Sequence, residues 1–180
     1  MLFDKSLYFC ISNNDKNLLN MKKNNVKSLR VMCYVALVLC AVYGIAVIVQ
    51  CPGYFLANAG GEYVRWEGEN AWIKGLIAIG YVSTALIAIL QASCFFFNIL
   101  KGIRKEDFFP KQNIKVLYFL TATTSFLPFF SDNLSMALSA NPHGFIVVTD
   151  INLLLPLAVF IFTQMYKIAH MAMEDSRLAI

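Results

Sequence analysis

Five cysteines, two histidines and one cluster of lysines and arginines are the groups in this chain best able to do chemistry, and their spacing limits what they can do. Cys10, Cys33, Cys40, Cys51 and Cys94 form no C-x-x-C pair, and most lie in apolar runs. They read as buried free thiols rather than a disulfide framework. Membrane thiol oxidases and quinone-linked reductases need paired cysteines near an outer face. Here Cys51 is alone near such a face, while Cys33 and Cys40 lie about two turns apart on one helix, too far for a bridge. His170 and Glu174, with Asp175 beside them, could share a helix face and hold a metal, but a solvated amphipathic helix end explains the same spacing. No Gly-rich phosphate loop and no plausibly placed Ser/His/Asp set appears, so neither enzymatic activity nor a metal or cofactor is expected. The remaining feature is the basic connection KGIRKEDFFPKQNIK at 101–115. In its plain role it sets topology and touches anionic lipid. In its sharper role it is a docking surface, with Phe108 and Phe109 as apolar anchors inside a charged rim.

The element that places this connection is the stretch 75–100, GLIAIGYVSTALIAILQASCFFFNIL, 26 residues without a charge. As a helix it would be roughly 39 Å long at about 1.5 Å per residue. That exceeds a hydrocarbon core of about 30 Å, so it can span a bilayer with some tilt. The whole 180-residue chain has the matching character: 58% hydrophobic, 14% charged, mean hydropathy +0.60. Soluble domains carry nearer about a quarter charged residues, so a single membrane domain is expected.

Residues 1–29 read as a basic, Asn-rich tail, with a small interfacial anchor around Phe3 and Phe9 or disorder as alternatives. Met21-Lys22-Lys23 resembles a translation start, which makes 1–20 an upstream extension in that reading. Residues 30–180 read as a four-span domain, with spans at about 31–51, 73–100, 114–130 and 148–168 and a C-terminal tail. The first run is too long for a secretory signal, and Gln50 stands where a lipoprotein signal needs a small residue. Ala36, Cys40 and Gly44 recur every four residues, as do Gly80, Thr84, Ala88 and Ala92. Two such small-residue ladders predict that the first two spans pack on each other, and such faces also allow homo-oligomerisation.

Residues 52–72, with Tyr54, Tyr63, Trp66 and Trp72, read as an exposed loop dipping aromatic rings into the interface. Gly102 is a candidate helix C-cap and Pro110 a helix opener. The third run is marginal, with Pro128 able to kink it, and Thr121, Thr123, Thr124 and Ser125 able to bond backbone carbonyls. Residues 133–140 are expected to form a short surface helix. In the fourth run Pro156 falls either in the first turns or at a kink.

Orientation follows from charge. Of the 15 lysines and arginines, only Arg65 and Lys74 fall on the two segments that would lie outside. The positive-inside rule places both termini and the 101–115 connection in the cytoplasm, and four spans are consistent with that because they put all three on one side. The fold expected is an all-α integral membrane four-helix bundle, N-in and C-in, in the cell (plasma) membrane. None of the runs has an ionisable residue at mid-depth, which argues against a proton or ion pathway. A small transporter or efflux component for a neutral or amphiphilic molecule stays open, with a polar cavity lined by Gln91, Asn98, Thr124 and Asn152.

Two stretches resemble a known family. NILKGIRKEDFFPKQNIKVL is similar to a motif of the form "lRnIrkGepFtpeNvkrLr", and YKIAHMAMEDSRLAI to a terminal motif of the form "FkrGveLqeEnDLTI". Both belong to small four-helix bacterial membrane proteins of the domain of unknown function 2975, and the resemblance covers roughly 21–180. Ile103, Phe108, Pro110 and Asn113 match the middle motif, and Asp175, Leu178 and Ile180 the terminal one. Phe109 stands where the family tends to have Ser or Thr, which removes a side-chain N-cap. Arg177 replaces an acidic residue and Ala169 a glycine. Members of such families are often encoded beside a small helix-turn-helix regulator. The resemblance therefore implies a membrane partner for a cytoplasmic DNA-binding protein, with no direct nucleic-acid binding and no catalytic residues. The residues expected to meet that partner or lipid headgroups are Lys101, Ile103, Arg104, Lys105, Phe108, Asn113, Lys115, Asp175, Leu178 and Ile180.

Overall fold

The structure is a computed structural model that describes the backbone of residues 3–55, 71–105, 107–138 and 154–178 and the side chains of 24–52, 72–73, 75–105, 107–134 and 154–176. The described residues form four helices and no strand: α1 (Phe3–Phe55), α2 (Ala71–Ile103), α3 (Gln112–Leu138) and α4 (Leu154–Leu178). Each holds a stretch long and apolar enough to cross a membrane: Asn24–Pro52, Gly75–Ile103, Gln112–Leu134 and Leu154–Ser176. The described residues are thus helical in all their regular structure, with the dimensions of a multi-pass membrane protein.

The helices are longer than the apolar runs inside them. The polar segment before the first run is helical from Phe3 and continuous with it, and α1 carries on past Pro52 to Phe55. α3 passes through Pro128 without ending and takes in 133–138, so the separate surface helix expected there is part of α3. Pro128 removes one backbone bond. Local side chains hold the helix on both sides of it. Thr121, Thr123 and Ser125 donate to the carbonyls of Leu117, Phe119 and Thr121 at 2.9 Å, and Thr124 donates to Thr121 at 3.0 Å. Downstream, Asn133 Nδ2 donates to the Phe129 carbonyl at 2.8 Å. Pro156 is the third residue of α4, in the first turn, where a helix has no use for its N–H. Most of the 52–72 loop and the start expected for the fourth run lie outside the described residues.

Consecutive helices pack on one another, α1 on α2, α2 on α3 and α3 on α4. Among the described residues α1 and α4 form no such pair. The long apolar flank of α1, including Val38, Leu39, Val42, Ile45 and Val49, faces outward. In water this would be a sticking surface, whereas in a bilayer it is the lipid face. α2 and α3 meet at Gly80, where an added Cβ would overlap the Phe130 ring. Gly44 faces α2, its notional Cβ 3.7 Å from Ile89 Cγ2. The two small-residue ladders therefore do not pair with each other throughout: Gly44 serves α1–α2, while Gly80 serves α2–α3. The reason is that α2 is central and has two occupied faces, which the four-residue spacing does not distinguish. The main buried cluster lies at the basic end and draws on every helix: Cys33 from α1, Phe95, Ile99 and Ile103 from α2, Leu117 from α3 and Tyr166 from α4.

Candidate interaction surface at the basic end

The connection between α2 and α3 is tightly built. The Gly102 carbonyl accepts Lys105 N at 2.8 Å and Asp107 N at 2.9 Å, which reverses the chain within five residues. A Cβ on Gly102 would run into the Asp107 carbonyl oxygen, so glycine is required here by close backbone approach. Pro110 then accepts Asn113 N at 2.9 Å and Lys111 accepts Ile114 N at 3.2 Å, closing the first turn into α3. That geometry leaves Lys101, Arg104, Lys105, Lys111 and Lys115 all exposed.

Ile103 and Asn113 of the connection face the other way. Ile103 is buried in the core cluster and Asn113 is 0% exposed. Asn113 joins three helices: Asn98 Nδ2 of α2 donates to its Oδ1 at 2.9 Å, and its own Nδ2 donates to the Phe95 carbonyl and to Tyr166 Oη of α4, both at 3.2 Å. Tyr166 Oη in turn donates to the Pro110 carbonyl at 3.4 Å, a long bond. Its ring packs edge-on against Phe95, 5.6 Å between centroids, and against Phe109 at 5.3 Å. His170, one turn further along α4, places Nδ1 2.7 Å from the Phe109 carbonyl, and an N–H there makes it the donor. His170 Nε2 has no hydrogen-bond partner and faces Glu174 Oε1 at 3.5 Å, within ion-pair reach but long for a hydrogen bond. The connection is therefore latched to α4 by two buried polar side chains.

Phe108 and Phe109 are half-buried and line an apolar cavity between α1 and α4, together with Leu29, Met32, Phe96 and Met165 among others. Asp175 is exposed on α4. Leu178 ends that helix with its side chain undescribed, and Ile180 lies outside the described residues. No group of three metal-ligating side chains occurs among the described residues. The side chains named for a transport cavity serve different purposes: Asn98 bonds Asn113, Thr124 bonds its own turn, and Asn152 lies outside the described residues. Gln91 keeps a buried Oε1 without a hydrogen-bond partner.

Sequence reasoning did not assemble the Asn98–Asn113–Tyr166 cluster, nor His170 against Phe109. The available signal was the isolated polar residue at each helix end beside an aromatic one. That pattern says a partner is needed, not which partner. Among the comparisons with known proteins, no family model, curated protein or solved structure matches the chain.

Proposed function

We propose that the chain is a non-enzymatic multi-pass protein of a bacterial inner membrane, with both termini and the α2–α3 connection in the cytoplasm, whose basic end docks a cytoplasmic partner. The observation behind this reading is the five exposed cations, Lys101, Arg104, Lys105, Lys111 and Lys115, on one connection whose uncharged side chains anchor it to three helices. A fixed array of like charges gives orientation and fast encounter with an acidic surface. The partner it fits is a small soluble protein with an acidic face. The resemblance to the domain of unknown function 2975 makes a small DNA-binding regulator the natural candidate. Kinship with that family is part of the same proposal. The asymmetric distribution of lysine and arginine supports the orientation.

The test is co-purification from mild detergent, comparing the unaltered chain with an Arg104→Ala, Lys105→Ala, Lys111→Ala variant. These three side chains are exposed, so the fold should survive. A partner recovered by the first and lost by the second supports docking. Equal recovery by both removes this surface.

A further inference from the structure

The cavity between α1 and α4 has a role that the docking surface leaves unfilled. It has a volume of about 440 Å³, within the range of about 300–1,000 Å³ usual for ligand sites. Its walls are apolar, with Met32 from α1, Phe95 and Ile99 from α2, Phe108 from the connection, and Met165 and Ala169 from α4. The polar side chains among its lining residues are few: the weakly polar Cys33 thiol belongs to one, and Tyr166, whose Oη already accepts from Asn113 and donates to Pro110, is another. A polar ligand would therefore find little to bond, and an apolar one loses nothing.

Its position narrows the ligand further. Met32 lies in the first half of the membrane-crossing stretch of α1, Met165 at the midpoint of that of α4 and Ala169 beyond it. The cavity thus runs from the middle of α4 towards the basic end of the bundle. It lies where α1 and α4 do not pack on one another among the described residues, and its wall residues Met32 and Met165 are exposed on the outer surface, which gives access from the lipid side. Among the described side chains at that end, the exposed cations Lys27 and Arg30 of α1, Lys105 and Lys111 of the connection and Lys167 of α4 outnumber the carboxylates Asp107, Glu174 and Asp175. Cations at headgroup depth favour a phosphate that has no compensating positive charge.

We infer that this cavity holds one acyl chain of an anionic phospholipid, whose phosphate sits among those cations. Because Phe108 and Phe109 are both cavity wall and part of the basic connection, lipid occupancy bears directly on how that connection is held. Such a site requires only the membrane setting and is independent of protein docking, so it can stand or fall separately.

Native mass spectrometry of the full chain in mild detergent tests it, with dioleoyl phosphatidylglycerol and dioleoyl phosphatidylcholine as probes. The unaltered chain should retain one phosphatidylglycerol several-fold more than phosphatidylcholine. Met32→Trp should lower that retention by about tenfold, equivalent to about 1.4 kcal/mol. Met32 is 67% exposed, so its exchange disturbs no core packing, and an unchanged helical spectrum would verify this. Arg30→Ala with Lys105→Ala should remove the headgroup preference and keep chain binding. Equal retention of the two lipids by the unaltered chain, or full retention of phosphatidylglycerol by Met32→Trp, would overturn the assignment. No partner protein enters the readout, so failure here leaves the docking experiment standing, and the reverse.

Discussion

Replacing Asn113 by alanine should loosen the basic end by breaking the side-chain bonds that tie three helices together there. The side chain is fully buried and makes three hydrogen bonds, at 2.9, 3.2 and 3.2 Å, to α2 and α4. Hydrogen bonds between membrane helices are worth about 0.6 kcal/mol on average and about 1.7 at most. The Phe95 carbonyl lies inside α2 and keeps its helical partner, so its loss costs least. The Asn98 amide and Tyr166 hydroxyl lose their contacts with Asn113. Adding a small cavity term, Asn113→Ala should cost about 2–3 kcal/mol. Asn98→Ala breaks one of the three bonds and should cost about 0.6–1 kcal/mol. The two substitutions together should fall short of their sum by about 0.6–1 kcal/mol, since both remove the same bond. Reversible unfolding of the detergent-solubilised chain by dodecyl sulfate, followed by circular dichroism, gives these differences. Hydrogen exchange over 101–115 should rise in the Asn113 variant and stay unchanged in α1. A cost below about 0.5 kcal/mol, or additive single changes, would mean that this cluster does not hold the three helices together.

Gly102→Ala pushes a Cβ against the Asp107 carbonyl oxygen, so the turn must open. We expect a loss of about 1–3 kcal/mol and faster tryptic cleavage after Arg104 and Lys105 in detergent, measured by peptide mapping. Gly80→Ala should cost a similar about 1–3 kcal/mol through the Phe130 ring, and Phe130→Leu in the same chain should recover part of it, as read from thermal midpoints. His170→Leu removes the 2.7 Å contact with the Phe109 carbonyl and should cost about 1 kcal/mol. Glu174→Ala should cost less than about 0.5 kcal/mol, because Glu174 is 56% exposed and the pair is largely screened.

The four helices could be read from the chain because uncharged runs such as 75–100 have one physical destination, and backbone satisfaction in lipid permits a helix there. The Ser and Thr hydroxyls of α3 were equally legible, since each bonds a carbonyl three or four residues back. Helix ends were less so: α1 and α3 extend into polar sequence that hydropathy alone does not assign. The ladders at Gly44 and Gly80 showed that something approaches closely, but identical spacing serves either neighbour of α2. The cluster around Asn113 depends on bringing residues 98, 113 and 166 together, a long-range coincidence with no local periodicity. In the connection, the charges of Lys101 to Lys115 were visible as a docking or lipid-facing rim. The inward turn of Ile103 and Asn113 follows from the Gly102 reversal, which sequence placed but could not aim.

The docking proposed for the basic end requires it to lie in the cytoplasm, opposite the other end of α2. The direct measurement is maleimide labelling of Lys105→Cys and Trp72→Cys, each in a chain whose native cysteines are replaced by serine, in intact and in permeabilised cells. Cysteine at 72 should react with an impermeant reagent in intact cells, and cysteine at 105 only after permeabilisation. Reaction of both positions from the same side, or of position 105 in intact cells, would contradict the topology and with it the docking surface.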